Sequence, residues 1–162
     1  METNTHRASG LKHFVDCFIR HTEVVSHLVG RRDAFSASWV VRIVPSTNGN
    51  GPHSLKPQKI AEVVTKTCAG NYALGRVQEN GFCILYVGRS DDDLAKQLHS
   101  WARQHTRYKA FVFSYAPHPR AVFDKECEDF HDLGGTERLD NAEHPKRPAK
   151  TEWPYPRCDL YG

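Results

Sequence analysis

Two tyrosines, a glutamate and an asparagine could together hydrolyse a phosphodiester: Tyr72, Tyr86, Glu126 and Asn141. That reaction requires a polarised phosphoryl oxygen, an activated water and stabilisation of the leaving oxygen. Glu126 could hold one Mg²⁺ or Mn²⁺ ion, which would keep most of its waters. The phenols could orient or deprotonate a water, but an ordinary phenol has a pKa of about 10, so a tyrosine base needs a cation beside it. In the alternative interpretation Glu126 is a solvent-facing helix acid and Asn141 a turn residue.

Cysteines and histidines near the C-terminus could form a second centre. Cys127 and His131 are four residues apart on a predicted helix, a spacing that lets both bind one metal ion. Together with His144 and Cys158 they would complete a tetrahedral Zn²⁺ site. The alternative is that Cys127 packs as a small apolar residue and His131 binds a backbone carbonyl.

A β-hairpin is predicted to position the two tyrosines. Two runs rich in β-branched and aromatic residues flank Glu-Asn-Gly at 79–81, which is a strong hairpin signal. A two-residue loop would put Tyr72 and Tyr86 on opposite faces of the sheet, whereas a three-residue loop, with Gly81 as a left-handed bulge, puts them on one face. We adopt the bulged register because it collects small and apolar residues on the other face. It places Tyr72, Leu74, Ile84, Tyr86 and Gly88 on one face and Ala73, Gly75, Val77, Cys83, Leu85 and Val87 on the other.

Two helices and a third strand are predicted after the hairpin. Ser-Asp-Asp at 90–92 supplies N-cap candidates for the first helix. The patterning then predicts a strand over 108–115 and a helix over 120–133, which the glycines at 134–135 end. The tail over 141–158 is rich in proline and polar residues, so we expect it to wrap the surface. The first helix has an apolar stripe of Leu94, Leu98 and Trp101 and a basic ridge of Lys96, His99 and Arg103.

We place no chemistry in the first part of the chain. Apolar spacing predicts a helix over 10–29, a strand over 38–44 and a loop over 46–56. Pro57 then opens another helix. This part is interpreted as an accessory layer that could contact a protein partner or determine substrate specificity.

The predicted fold class is α/β (α+β). A short antiparallel three-stranded sheet, made of the hairpin and the strand over 108–115, is flanked by helices. The chain divides into an N-terminal accessory region, 1–69, and a second unit, 70–162. The helix–strand–helix of the accessory region packs on that unit, and its strand could extend the sheet.

Length and composition set the broad class. A chain of 162 residues suits one domain with a substantial core, and a formal charge of +3 does not by itself indicate a nucleic-acid partner. No apolar run reaches transmembrane length, and the N-terminus lacks a signal peptide's hydrophobic region. Five cysteines, an odd number, favour reduced thiols over disulfides. We therefore expect an intracellular protein, in the cytoplasm, the nucleoid or the nucleus, without a membrane partner.

The order of these motifs resembles the GIY-YIG nuclease family. Gly-Asn-Tyr at 70–72 stands for the first half of the family's signature and Tyr-Val-Gly at 86–88 for the second. Asn-Ala-Glu-His-Pro at 141–145 resembles the Asn-x-x-His-Pro of a subgroup of small members. The resemblance implies a metal-dependent endonuclease acting on DNA, in which Glu126 binds the metal ion and Asn141 fixes the geometry between the tyrosines and that ion.

The main departure from the family concerns its phosphate-binding arginine, which follows the second tyrosine by ten or eleven residues. Lys96 and Gln97 occupy those positions here, and a lysine keeps the charge without the bidentate fork. Lys96, Arg103 or Arg89 could supply the cation instead. The residues assigned to further nucleic-acid contacts are Arg76, Arg89 and His99.

The likeness covers residues 70–158, just over half of the chain. A smaller departure within it is Asn71, which replaces an apolar residue and is expected to face solvent. The substituted arginine position motivates a second hypothesis, a catalytically impaired module that binds nucleic acid or a protein partner. A third hypothesis, a zinc-stabilised structural domain, rests on the cysteines and histidines alone.

Overall fold

The computed structural model describes residues 30–31, 40–41, 51–79, 81–104 and 106–158. The helix predicted over 10–29 and most of the strand predicted over 38–44 lie outside these ranges. The two central residues of that strand are described, and they do extend the sheet by pairing with the hairpin.

In the part of the chain that the structure describes, the fold is a mixed α/β arrangement of one antiparallel sheet and three helices. The sheet there has six strands in the order β1-β2-β5-β4-β6-β3, and three of them are only two residues long. Within the described ranges, no helix has the length and apolar character that a membrane span requires. The elements are β1 (Gly30–Arg31), β2 (Val40–Val41), β3 (His53–Ser54), α1 (Pro57–Val63), β4 (Gly70–Gln78), β5 (Gly81–Ser90), α2 (Leu94–Arg103), β6 (Ala110–Tyr115) and α3 (Pro119–Asp132).

The hairpin brings both tyrosines to one face, as predicted, but by a different route. Strands β4 and β5 pair as far as Gln78 opposite Gly81, so only positions 79 and 80 lie between them and the predicted three-residue loop is wrong. The extra residue sits in the middle of β5 instead. Leu74 pairs with Tyr86 and the next residue of β4 pairs with Ile84, which leaves Leu85 as a bulge.

The position of this bulge moves two side chains away from their predicted faces. Ile84 packs with Ala73 and Val87 rather than with the tyrosines. Cys83, which pairs with Arg76, lies on the face of the sheet that carries the tyrosines. Both predictions were wrong because a bulge reverses the alternation only for the residues on one side of it.

Val77 had also been predicted to lie on a buried face, and it is 62% exposed. All the described residues over 76–79 are exposed, so no element among the described residues covers this end of the hairpin. The predicted alternation of faces is correct for these residues. The sequence does not show how far along the hairpin the helices cover the sheet.

Helices cover both faces of the sheet. On the tyrosine face α1 and α2 bury Ile60, Leu94 and Leu98 against Leu74 and Phe111. On the opposite face α3 contributes Phe130, which packs with Phe82, Ile84 and Val87 of β5. The sheet therefore has a separate apolar cluster on each side, and α1 belongs to the same core as the hairpin.

The ends of the helices follow the expected chemistry. Asp93, one residue after the predicted candidates, caps α2 by accepting a hydrogen bond from the backbone N–H of Lys96 at 3.1 Å. His118 caps α3 in the same way through its Nδ1, which accepts from Ala121 at 3.1 Å. After α3, Gly134 has a φ of +92°, a conformation that favours glycine and ends the helix where predicted.

The C-terminal tail binds the edge of β5 beyond the two residues that pair with β2. Asn141 is buried, and its side chain makes two hydrogen bonds with the backbone of one residue: Oδ1 accepts from the N–H of Val87 at 3.1 Å, and Nδ2 donates to its carbonyl at 2.8 Å. The backbone N–H of Asp140 donates to Leu85 at 2.7 Å. The side chain of Asn141 thus satisfies backbone groups of β5 that a neighbouring strand would otherwise bind.

Replacing Asn141 with alanine should lower the free energy of unfolding by about 1–3 kcal/mol, because two buried backbone groups of Val87 lose their partners. Urea unfolding followed by circular dichroism measures this change. The matched control is Glu143→Ala in the same tail, whose ion pair with Lys146 is exposed to solvent and should contribute little to stability. Equal stability of the two variants would contradict the role assigned to Asn141.

Candidate active site and metal centre

The two tyrosines form a stacked pair. The ring centroids of Tyr72 and Tyr86 are 6.4 Å apart with an interplanar angle of 24°. Tyr72 is only 4% exposed, and its ring passes directly over Gly88 on the neighbouring strand. A Cβ at Gly88 would lie 2.7 Å from Oη and Cζ of Tyr72, so this glycine is required by the position of the phenol.

Helix α2 supplies the hydrogen-bond partners of the first phenol. The oxygen of Tyr72 accepts from Nε1 of Trp101 at 2.8 Å and from Nε2 of Gln97 at 3.3 Å. Trp101 also packs against the second phenol, with its ring centroid 4.9 Å from that of Tyr86. The helix face directed at the tyrosines therefore carries an amide and an indole.

The predicted cations of α2 lie elsewhere on that helix. Lys96 and Arg103 are exposed, whereas Gln97 is partly buried and touches the phenol. His99 is also partly buried. Gln97 therefore takes the place that the resemblance gives to arginine, and the assignments of Lys96, His99 and Arg103 stay predictions.

Arg89 is held inside the protein by three acceptors. One Nη donates to the carboxylate of Glu126, Nε donates to Asp91 at 2.9 Å, and the other Nη donates to the carbonyl of Lys146 at 2.9 Å. Its guanidinium lies 5.5 Å above the ring of Phe123, and its side chain is 12% exposed. Arg89 thus joins β5, α3 and the tail.

Arg76, also assigned to nucleic-acid contacts, is exposed near the hairpin loop. It is four residues from Tyr72 along β4, or roughly 13 Å at the usual rise of a strand. The structure therefore places it apart from the tyrosine pair, and its assignment stays a prediction.

Glu126 influences the tyrosines electrostatically. Burial raises the pKa of the Glu126 carboxyl, the charge of Arg89 opposes this, and Asp91 and Asp129 add to it. Burial likewise raises the pKa of both Tyr72 and Tyr86, and the negative charge of Glu126 contributes to each increase. The carboxylate and the two phenols therefore share one electrostatic environment.

The four predicted zinc ligands come together in space. One ligand atom from each of Cys127, His131, His144 and Cys158 lies within 4.8 Å of all the others. The two Sγ atoms are 3.9 Å apart, Sγ of Cys127 is 3.6 Å from Nε2 of His144, and the two histidine Nε2 atoms are 3.0 Å apart. A zinc tetrahedron with ordinary bond lengths has edges of about 3.3–3.8 Å.

The contacts of Cys158 are somewhat tighter than in such a tetrahedron. Its Sγ lies 2.6 Å from Nε2 of His131 and 2.8 Å from Nε2 of His144. All four ligand atoms still lie close enough together to share one metal ion. The cluster could therefore bind a metal ion through two thiolates and two imidazoles.

The surroundings of this Cys₂His₂ centre orient its ligands. Nδ1 of His144 lies 2.9 Å from the carbonyl of Pro145, which favours a proton on Nδ1 and directs the lone pair of Nε2 to the centre. Phe130 and Tyr155 contact the same imidazole edge-on. In the metal-free protein, burial and the neighbouring Cys158 raise the pKa of the Cys127 thiol to about 12. A bound cation would stabilise the thiolate.

Two hydrogen-bond partners of the tyrosine pair were not expected from the sequence, and Asn71 lies where the sequence did not predict it. Gln97 and Trp101 were not expected to bond with Tyr72, although a buried indole N–H usually needs an acceptor. Asn71 was predicted to face solvent, but it is 3% exposed and donates to the carbonyl of Val122 at 2.8 Å. That prediction was wrong because α3 covers the face that Asn71 occupies.

The raised phenol pKa values predict a loss of stability at high pH. The folded state keeps Tyr72 protonated above its ordinary pKa of about 10, so this contribution is complete below about pH 10 and is lost as the pH rises through the higher folded value. Urea unfolding at several pH values between 8 and 11.5 should show the decline. In Tyr72→Phe the decline should be shallower, by up to about 1.4 kcal/mol per pH unit. Identical slopes would contradict the burial of this phenol.

No protein-family model matches the chain, and no curated protein or solved structure shows significant similarity to it. Function must therefore be argued from the residues themselves. The resemblance to GIY-YIG nucleases stays a prediction, and the residues that bear on it are the tyrosine pair, Gly88 and Glu126.

Proposed function

We propose that this protein is a metal-dependent nuclease that hydrolyses phosphodiester bonds in nucleic acid, with DNA as the expected substrate. The observation that carries the proposal is the pair of phenols, Tyr72 and Tyr86, stacked on one face of the sheet within the field of Glu126. Two phenols together with a carboxylate whose charge reaches them could position a phosphate and a water. The order of these residues in the chain, which resembles that in GIY-YIG nucleases, supports the same conclusion.

In this mechanism the phenols begin as hydrogen-bond donors. Because the pKa values of Tyr72 and Tyr86 are raised, both groups are protonated at neutral pH. The Tyr72 oxygen accepts from Trp101 and Gln97, and the two phenols also hydrogen-bond to each other. A phosphoryl oxygen or a water that receives a phenol proton would take the place of the bond between the phenols. Either phenol becomes a base only when a cation lowers its pKa.

Glu126 is the residue that would hold a Mg²⁺ or Mn²⁺ ion. Its burial raises the carboxyl pKa, and a bound cation would favour the charged form. Arg89 occupies one carboxylate oxygen, so the protein offers the ion a single oxygen, and water and substrate phosphate would complete its shell. When bound, the ion would polarise the phosphoryl oxygen and lower the pKa of a coordinated water.

One observation favours a second candidate function, a catalytically impaired module that binds nucleic acid or a protein. Gln97 stands beside Tyr72 where the resemblance expects arginine, and Arg89 is occupied by three internal acceptors. A neutral amide can bind a phosphate oxygen but cannot neutralise charge in the transition state. Binding without cleavage would follow.

We further infer that the Cys₂His₂ centre holds Zn²⁺ in a structural role. Two sulfurs and two nitrogens within 4.8 Å of one another form a donor set that zinc prefers, and protein side chains supply all four donors, as in structural sites. The ion would join α3, through Cys127 and His131, to the tail, through His144 and Cys158. An intracellular, reducing compartment would keep both thiols available.

Incubation with supercoiled plasmid and Mg²⁺ or Mn²⁺ should yield nicked DNA, and Glu126→Gln should reduce the nicking rate by about 100-fold or more, because it removes the ion's carboxylate. The matched control is Glu128→Gln, an exposed acid on the same helix. Circular dichroism must show that Glu126→Gln is folded, since it also breaks the ion pair with Arg89. Equal nicking by all three proteins would refute the nuclease assignment.

The variant Gln97→Arg distinguishes the two candidate functions. If the protein is a weak nuclease, a guanidinium beside Tyr72 should raise the nicking rate by at least about 10-fold. The same change at an exposed glutamine near the hairpin loop, Gln78→Arg, should leave the rate unchanged. If wild type and Gln97→Arg both bind DNA and neither cleaves it, the binding module is the correct assignment.

Purified protein should contain one equivalent of zinc by metal analysis, and Cys127→Ser should contain none. Because zinc joins α3 to the tail, its loss should remove several kcal/mol of stability and lower Tm by about 10 °C or more. Cys68→Ser, outside the cluster, should keep both the zinc and the Tm. Wild-type protein without zinc would end the structural-zinc assignment.

A further inference from the structure

We propose that a cavity beside the tyrosine pair binds one unpaired nucleotide of a single strand, with its base against Trp101 and Tyr108 and its phosphate beside Lys56 and Lys109. This inference deepens the proposed function and rests on it, since it names single-stranded or locally opened nucleic acid as the substrate class.

The cavity lies where three segments meet: the connection from β3 to α1, the C-terminal end of α2 and the residues before β6. It has a volume of about 600 Å³, in the middle of the range of roughly 300–1,000 Å³ that small-molecule sites occupy. That volume can take a base together with its sugar. Polar groups from Ser54, Gln104 and Thr106 line it and could bond with a base edge.

Its aromatic wall suits a planar ligand. The rings of Trp101 and Tyr108 have centroids 5.7 Å apart and stand nearly perpendicular, at 74°. A base can therefore stack on one ring while its edge touches the other. Stacking on one aromatic side chain typically changes affinity by roughly 5- to 150-fold and tolerates every base, because each base has a π face.

The positive charge of the residues that line the cavity favours an anionic ligand. Among the described residues that line the cavity, the charged side chains are Lys56 and Lys109, both exposed to solvent, and none is acidic. An aromatic wall with lysines beside it matches the two parts of a nucleotide, whereas an acidic peptide would use only the lysines.

The cavity adjoins the candidate active site through shared rings. The centroid of Tyr86 is 4.9 Å from that of Trp101 and 6.1 Å from that of Tyr108, and Trp101 also donates to Tyr72. One strand could therefore place a base in the cavity and a neighbouring phosphate at the phenols. Bases stacked and paired in a duplex cannot enter, so the geometry requires an unpaired nucleotide.

The test measures binding without cleavage. A fluorescent eight-nucleotide single strand is titrated with the full chain in buffer without added Mg²⁺ or Mn²⁺, and its intactness is checked on a denaturing gel. An abasic strand of equal length should bind at least about 5-fold more weakly, because it lacks the stacked base. Equal affinity for the two strands would overturn the proposal, since binding would then depend on phosphates alone.

Variants locate the site. Lys56→Ala combined with Lys109→Ala should weaken strand binding by about 10-fold at low salt, whereas Lys59→Ala, whose ammonium pairs with Glu62, should not change it. Trp101→Leu should abolish the difference between normal and abasic strands. An undiminished difference in Trp101→Leu would place the base elsewhere and refute the inference.

Two further ligands test the substrate class. A duplex of the same sequence should bind more weakly than the single strand, and a free nucleoside monophosphate should also bind more weakly because it lacks flanking phosphates. A monophosphate that binds as tightly as the strand would overturn the assignment to a polymer. A protein that binds the normal strand more tightly than the abasic strand but does not nick the plasmid would support this inference and refute the nuclease proposal. The failure of one proposal can therefore be distinguished from the failure of the other.

Discussion

The extra residue in β5 is the constraint on which the rest of the candidate site depends. Without the bulge at Leu85, the short loop of this hairpin would place Tyr72 and Tyr86 on opposite faces of the sheet, because side chains alternate with a period of two. With it, both phenols lie between the sheet and α2, and Gly88 provides the room for one ring. A change in this register would separate the phenols while leaving every strand in place.

A second set of contacts holds β5 at the edge that faces away from β4. Asn141 bonds with both backbone groups of Val87, and Arg89 bonds with Glu126 of α3 and with the tail carbonyl of Lys146. The Cys₂His₂ centre joins the same helix to the same tail. Helix α3 and the tail therefore both hold β5, the strand that carries Tyr86, and a metal ion could join that helix to that tail. The metal centre would thus support the candidate active site without contacting it.

The chemistry of the site depends on which groups remain available to a substrate. Arg89 is occupied internally, and Gln97 is neutral. Burial keeps the phenols protonated, so the site in its resting form presents donors. Cationic side chains instead stand beside the neighbouring cavity, at Lys56 and Lys109. This separation suits a strand whose phosphates extend past the phenols, and it explains why both a weak nuclease and a binding module are consistent with one geometry.

The sequence by itself determined the main elements after residue 70 and the two cysteines and two histidines of the Cys₂His₂ centre. Hairpin, helices and third strand follow from periodicity and turn residues, and the i, i+4 spacing of Cys127 and His131 follows from helix geometry. The sequence also predicted Cys158 as the fourth member of the Cys₂His₂ cluster, and the structure brings it there. Only the tertiary structure decided the position of the bulge, the burial of Asn71, and the choice of Gln97 rather than Lys96 as the neighbour of Tyr72. The physical reason is that these outcomes depend on contacts between distant segments, which local pattern does not encode.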